Sequence, residues 1–185
     1  MTELEWLTSL AMGLALAATC GLRAFFPLLT LSILSYANLL ELADDYRWLG
    51  EFPALVVLGF AALFEWLGDK VPLVDHTLDI IAVIVKPLAA TLAAASVMTE
   101  FDPLIAAVIG LVAGGSLAGG IHFLKAKLRA LSTTISATVA NPIISLIEDA
   151  LTLIGAALAL IAPLLMMFIV TALVVWALKR TRETA

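Results

Sequence analysis

The chain has 185 residues, of which 63% are hydrophobic and 14% are charged, against about 45–50% and about 25% in an average soluble protein. One small core cannot bury so many apolar side chains, so the composition excludes a soluble enzyme and predicts a single integral membrane domain over residues 1–185. The net charge of −5 argues against a nucleic-acid partner, and the single cysteine excludes a disulfide framework.

Apolar runs of about 20 residues predict an all-α, polytopic membrane helical bundle with about six spans. The first span is expected to be kinked or broken between Cys20 and Pro27, with its tail along the outer interface. The uncharged stretch 150–178 would be about 43 Å long as one helix, so we expect it to divide at Pro163, with a single long tilted helix as the alternative. The predicted spans lie near residues 7–27, 53–68, 72–98, 103–124, 142–161 and 163–179.

The positions of the basic residues predict the orientation of these spans. With six spans and both termini in the cytoplasm, only Arg47 falls outside, within the acidic loop 41–51. The basic residues on the cytoplasmic side would be Lys70, Lys125, Lys127, Arg129, Lys179, Arg180 and Arg182. Five spans would place one basic cluster on the wrong side.

Small residues recur every four positions in the fourth predicted span, at Gly110, Gly114 and Ala118. Such a face lets two helix backbones approach closely in lipid. It predicts either helix packing within one chain or a homo-oligomer interface.

Ionisable side chains inside or at the edge of the spans are the candidate functional residues, because each needs a partner or a polar cavity there. Most would lie toward the cytoplasmic side, which predicts a polar vestibule with Lys86 and Arg23 deeper. The alternatives are purely structural roles: a solvated hairpin, anchors to lipid headgroups, or a buried ion pair between Asp79 and Lys86. The candidates are Arg23, Glu65, Asp69, Asp75, Asp79, Lys86, His122, Lys125, Arg129, Glu148 and Asp149, with Asn141 at the start of the fifth span.

Helical spacing groups several of these residues. Asp75, Asp79 and Lys86 share one face of the third span, and His122 shares a face of the fourth with Lys125 and Arg129. A weak internal repeat is also indicated, because Pro72 precedes Asp79 by seven residues and Pro142 likewise precedes Asp149. Chance is the alternative explanation for this repeat.

The combined motifs resemble the bacterial membrane family catalogued as domain-of-unknown-function family 4126. The resemblance covers the chain from about Leu7 to about Leu165 and implies a multi-pass bacterial inner-membrane protein, without implying an activity. It rests on residues 21–27, Glu65, residues 69–72, Asp75, His122, Lys125, Arg129, Ser132, Thr133, Asn141, Pro142, Ser145, Glu148 and Asp149.

Two functions fit the charged residues. In a small-ion transporter or channel, the carboxylates of Asp75, Asp79, Glu148 and Asp149 would bind a cation or relay protons. In a membrane enzyme acting on a lipid phosphate, the same four carboxylates would hold a divalent metal ion.

In the enzyme, His122, Lys125 and Arg129 would bind the phosphate, together with Ser132 and Thr133. The spacing of Asp75 and Asp79 matches that of some lipid-phosphate enzymes, but the glycines and arginine around it are missing. Transport is therefore favoured, with a small ion and membrane lipid as the expected partners.

Overall fold

A computed structural model describes the backbone of residues 3–69, 72–136 and 141–183, and the side chains of residues 3–69, 80–127, 143–176 and 179. All regular secondary structure in these segments is helical, which confirms the predicted all-α membrane bundle. The α-helices are α1 (Glu3–Cys20), α2 (Phe25–Tyr36), α3 (Phe52–Gly68), α4 (Pro72–Val97), α5 (Pro103–Ile109), α6 (Gly115–Ser136), α7 (Asn141–Ile161) and α8 (Pro163–Glu183).

Two short helical turns complete the described chain. A 3₁₀ helix at Asp44–Gly50 lies between α2 and α3, and a π-helical turn at Gly110–Gly114 joins α5 to α6. Together α5, the π turn and α6 run as one helical rod through most of the bundle. The rod begins where the Asp102 carboxylate accepts hydrogen bonds from the amides of Leu104 and Ile105, at 2.9 and 3.3 Å, as an N-cap.

Prolines mark several helix starts. The first residues of α4, α5 and α8 are Pro72, Pro103 and Pro163, and Pro142 is the second residue of α7. A proline fits the first helical turn because the amide hydrogen that it lacks would have no partner there. The chain divides at Ala162, where Pro163 predicts a break.

By length and apolar composition, three segments of the described chain could cross a membrane: Ile80–Val97, Pro103–Lys127 and Ile143–Ile161. A fourth crossing results if the 3₁₀ helix and α3, which meet at a bend of 66°, form one span. The chain is thus a membrane protein by these helices, and the number of about six spans stays a prediction.

The first helix, α1, is followed by α2, which runs in the opposite direction through the bundle. The predicted tail along the outer interface is not present. The hydroxyl of Ser9, in α1, donates to the carbonyl of Val97 at 3.2 Å. Beyond α2, the amide of Ala43 donates to the carbonyl of Ser96 at 2.8 Å. Both ends of the α1–α2 pair therefore lie beside the end of α4. The predicted break between Cys20 and Pro27 is confirmed at residues 21–24, whereas the predicted tail along the outer interface is wrong.

This path also changes the predicted topology. The ring of Trp6, in α1, lies 4.6 Å from the ring of Phe101, in the loop before α5. The start of α1 is therefore at the same end of the bundle as that loop and as the segment after α2. The predicted topology, with the amino terminus opposite these loops, is wrong in this respect. We call this the acidic end, because it carries Glu3, Glu5, Glu41, Asp44, Asp45, Glu100 and Asp102.

The small-residue face of the α5–α6 rod packs within the chain. A Cβ atom at Gly110 would lie 2.9 Å from the carbonyl oxygen of Thr91, in α4. A Cβ atom at Gly114 would lie 2.9 Å from Cβ of Ala17, in α1, and Ala118 is fully buried. These residues bring the rod against α1 and α4, so this face is not available for the predicted homo-oligomer contact.

Candidate functional site

The candidate site is built around the break between α1 and α2. Residues 21–24 are not α-helical, so the carbonyl groups that end α1 and the amide groups that begin α2 need other partners. Gly21 lets the break pass close to α6, because a Cβ atom here would lie only 2.7 Å from the carbonyl oxygen of Ala118. The polar backbone is thereby held inside the bundle.

Two lysines bind the carbonyl groups at this break. The ammonium group of Lys86, in α4, donates to the carbonyls of Gly21 and Leu22 at 3.1 and 3.0 Å. The same Nζ atom lies 3.0 Å from Nδ1 of His122, which acts as the acceptor when Lys86 is charged. Lys125, in α6, donates to the carbonyl of Leu22 at 3.3 Å. Two ammonium groups thus take up the backbone acceptors of the broken helix.

A carboxylate from α3 binds the other side of the break. The two oxygens of Glu65 accept hydrogen bonds from the amides of Ala24 and Phe25, at 2.8 and 3.1 Å. Glu65 therefore caps the start of α2, where its negative charge is also favoured by the helix dipole. This cap explains why α2 turns away from the direction of α1.

Arg23 lies within the break and is fully buried. Its Nη1 atom lies 2.5 Å from a carboxylate oxygen of Asp69, after α3, and its Nη2 atom 2.7 Å from Oδ1 of Asp149, in α7. Nη2 also donates to the hydroxyl of Ser145 at 2.9 Å. One guanidinium group therefore ties the break to two other helices.

A second set of contacts extends this cluster across α6 and α7. The ammonium of Lys125 lies 3.0 Å from Oε2 of Glu148 and 3.8 Å from Oδ2 of Asp69. The indole of Trp66 donates to Oδ2 of Asp149 at 3.0 Å. Both oxygens of the Asp149 carboxylate thus face a donor.

We call this cluster the ionic network; its members are Arg23, Glu65, Asp69, Lys86, His122, Lys125, Glu148 and Asp149. Among the side chains that the structure describes, it holds three cationic and four anionic groups, which sum to a formal charge of −1 when His122 is neutral. Charges removed from water are costly unless paired and hydrogen-bonded. Each charged member has an oppositely charged or hydrogen-bonding partner, but Nε of Arg23 and Oδ1 of Asp149 are buried without a hydrogen bond among the described residues.

The ionic network lies inside the apolar segments, toward the end of the bundle opposite to the acidic end. Lys86 is fourteen residues beyond Pro72, or about 21 Å along α4, and Glu148 is seven residues beyond Asn141, or about 10 Å along α7. The network therefore sits below the rim of the spans.

The structure brings together eight of the predicted site residues, which are the eight members of the ionic network. Arg23, expected deeper in the predicted vestibule, lies beside Asp69 and Asp149. Sequence reasoning did not select Ser145 and Trp66 as site residues. Ser145 carried a signal, because it stands one helical turn before Glu148 and Asp149 on the same helix face.

Four other predicted site residues lie outside the described side chains, namely Asp75, Asp79, Arg129 and Asn141. Among the side chains that the structure describes, no group of three or more His, Cys, Asp or Glu residues could hold a metal ion. Glu148 and Asp149, two of the four predicted metal ligands, contact Lys125 and Arg23 instead. The other two predicted ligands are Asp75 and Asp79.

One protein-family model, described as a domain of unknown function (DUF4126), matches residues 10–182. No curated protein and no solved structure matches the chain.

Proposed function

Because the chain belongs to the family described as a domain of unknown function (DUF4126), whose description gives no activity, we propose a function from the geometry of the site: transport of a small cation across the membrane. The observation that carries this proposal is the buried ionic network at the break between α1 and α2. We further propose that the protein resides in a bacterial inner membrane.

The broken helix supports the proposal because transporters commonly form ion sites where a membrane helix is interrupted. The carbonyls of Gly21 and Leu22 are the type of oxygen ligand that binds Na⁺ or another hard cation. Lys86 and Lys125 now donate to these carbonyls, so each lysine is a tethered cation in the position that a free ion would take.

The charge of the network favours a cation over an anion. The members that the structure describes sum to −1, so one bound cation or one proton would neutralise them. The Nε atom of Arg23 is buried and has no hydrogen-bond acceptor among the described residues. Such a donor could bind an oxygen of the hydration shell that accompanies an ion.

The mechanism that follows is displacement. A cation that enters from the end of the bundle near Lys125 would bind the Leu22 carbonyl and the carboxylates of Glu148 and Asp69. Lys125 would then release Leu22, and its flexible stem lets it remain near the carboxylates. Proton binding to one of the carboxylates would weaken its hold on Lys125 or Arg23 in the same way.

A flux assay tests the proposal. The protein is reconstituted into proteoliposomes and uptake of Na⁺, K⁺ and H⁺ is measured in each direction, beside turnover of a lipid phosphate as the assay for the alternative enzyme. We expect saturable flux of at least one cation and no lipid turnover. Lipid-phosphate hydrolysis without cation flux would contradict the proposal.

The matched variants are Glu148→Gln and Glu100→Gln. The first removes a carboxylate that lies 3.0 Å from Lys125, whereas the second removes a carboxylate at the acidic end. Flux should fall at least tenfold in Glu148→Gln and remain within twofold of the parent in Glu100→Gln. An equal loss of cation flux in both variants would show that the ionic network is not part of the transport path.

A further inference from the structure

Helix α4 is irregular at Pro87, which lies inside the helix. A proline at an interior position donates no backbone hydrogen bond and its ring presses on the preceding turn, so the helix can bend there. The neighbouring rod has its own irregularity, the π-helical turn at Gly110–Gly114, which ends before Gly115. A Cβ atom at Gly115 would lie 3.5 Å from Cβ of Pro87. Two adjacent helices are thus irregular at the same level, next to Lys86.

The part of α4 that follows the proline is packed tightly. Ala90, Ala93 and Ala94 are fully buried. A Cβ atom at Gly13, in α1, would lie 2.9 Å from the carbonyl oxygen of Ala94, and the rod approaches α4 as closely at Gly110. Any shift of this part would drive one backbone into another, so it is fixed in the bundle.

The part of α4 that precedes the proline is packed loosely where its side chains are described, at residues 80–86. A cavity of about 550 Å³ lies between α3 and α4, and a second of about 360 Å³ lies between α4 and α6. Ala82 lines both cavities, so the segment has space on two sides. On the α6 side, a Cβ atom at Gly119 would meet no atom of the described residues within 4 Å.

Lys86 fastens this loose segment to its neighbours. Its ammonium group donates to the carbonyls of Gly21 and Leu22, in the break, and lies 3.0 Å from Nδ1 of His122, in α6. All three contacts depend on one flexible side chain at the end of the segment, directly before the proline. A cation bound at the Leu22 carbonyl would repel this ammonium group and release the segment.

We propose that the part of α4 before Pro87 is a gate to the break, with Lys86 as its latch and Pro87 beside the π turn as its hinge. When Lys86 leaves the carbonyls of Gly21 and Leu22, the segment swings into the adjoining space while the rest of α4 stays in place. The inference deepens the proposed function and rests on it, because the cation that opens the latch is the one proposed to be transported.

Distances between spin labels test the hinge. The purified full-length protein, in lipid nanodiscs and in a Cys20→Ala background, carries one label at Leu104→Cys, in the first turn of α5, and a second at Ile84→Cys or Leu88→Cys. Ile84 and Leu88 are both exposed and share one face of α4, one turn apart on either side of the proline. Double electron–electron resonance measures the distance from each of them to residue 104.

Two variants act on the latch and on the hinge. Lys86→Met should shift the distance from Ile84 by about 5 Å or more, the length of one helical turn, and should leave the distance from Leu88 unchanged. Addition of Pro87→Ala, which restores the backbone donor, should return the first distance toward that of the parent. Equal shifts at both labels would mean that α4 moves as a whole, and no shift at either would mean that the segment is fixed. Either result overturns the proposal.

A second measurement decides if Lys86→Met does not elute as the parent protein does. In the parent, the distribution of distances from Ile84 should be broader than that from Leu88, and it should narrow in Pro87→Ala. Distributions of equal width at the two labels would then overturn the proposal.

The outcome is independent of the flux assay. Cation flux in a protein whose Ile84 distance does not respond to Lys86→Met would sink this inference and leave the transport proposal standing. Movement at Ile84 in a protein without cation flux would support the hinge and overturn the transport proposal.

Discussion

The guanidinium of Arg23 lies 2.7 Å from the carboxylate of Asp149, and this contact joins the end of α1 to the first turns of α7. Both residues are buried, and Ser145 and Trp66 add hydrogen bonds on either side of the pair. A pair so placed holds two distant parts of the chain in register, because neither charge can be left alone inside the bundle at low cost.

Removal of one partner of this pair should destabilise the protein strongly. Arg23→Met removes the nearest cation from two buried carboxylates, those of Asp69 and Asp149, and the expected loss is about 3–5 kcal/mol of unfolding free energy. Chemical denaturation in detergent, followed by tryptophan fluorescence, measures it. The double variant Arg23→Met with Asp149→Leu should lose less than the sum of the two single variants. Strict additivity would show that the pair makes no net interaction.

Reversal of charge at Lys125 should disturb function more than the same change two residues later. Lys125→Glu places a third carboxylate beside Glu148 and Asp69, whereas Lys127 is exposed and lies over the ring of Phe123. Cation flux per folded protein should fall at least tenfold in Lys125→Glu and less than twofold in Lys127→Glu. Equal effects would argue against a specific site at Lys125.

Two glycines of the α5–α6 rod should respond in opposite directions to alanine. A Cβ atom at Gly114 would lie 2.9 Å from Cβ of Ala17, so Gly114→Ala should cost about 1–3 kcal/mol through overpacking. A Cβ atom at Gly119 would meet nothing within 4 Å, so Gly119→Ala should gain up to about 1 kcal/mol from helix propensity. Thermal unfolding in detergent compares the two. A gain at Gly114 would contradict the close packing of the rod on α1.

The path of α1 and α2 predicts that Glu5 and Asp45 are exposed on the same side of the membrane. In a Cys20→Ala background, Glu5→Cys and Asp45→Cys should be labelled by an impermeant maleimide from one side only, and from the same side. Because basic residues cluster toward the opposite end, we expect that side to be external. Labelling of the two positions from opposite sides would restore the topology inferred from the sequence.

The helices and the buried charges were accessible to sequence reasoning, because each has a local signature. Prolines mark the starts of α4, α5, α7 and α8, and an ionisable residue within an apolar run needs a partner wherever the run lies. The partners of these buried charges could not be predicted from the sequence. Nothing near Glu65 shows that its carboxylate caps α2, so the return of α2 toward the acidic end could not be foreseen.

The partners of Arg23 could not be predicted for the same reason. A sequence pattern gives the distance of Arg23 along its own helix, but the level at which it meets Asp69 and Asp149 depends on the direction of every helix between them. The contacts of Lys86 with two carbonyl groups were inaccessible for a further reason, since backbone atoms carry no residue-type signal.

The break at residues 21–24 also constrains how the protein is made. Its carbonyl and amide groups acquire their partners from Glu65, Lys86 and Lys125, all of which leave the ribosome after α1 and α2. One partner of Arg23, the carboxylate of Asp149, is synthesised later still. We therefore expect the amino-terminal helices to stay at the translocon, or beside an insertion chaperone, until α6 has supplied the last partner of the backbone and α7 the last partner of Arg23. Chains that stop before α7 should be cleared by membrane quality-control proteases, whereas chains that lack only α8 retain every partner of the break.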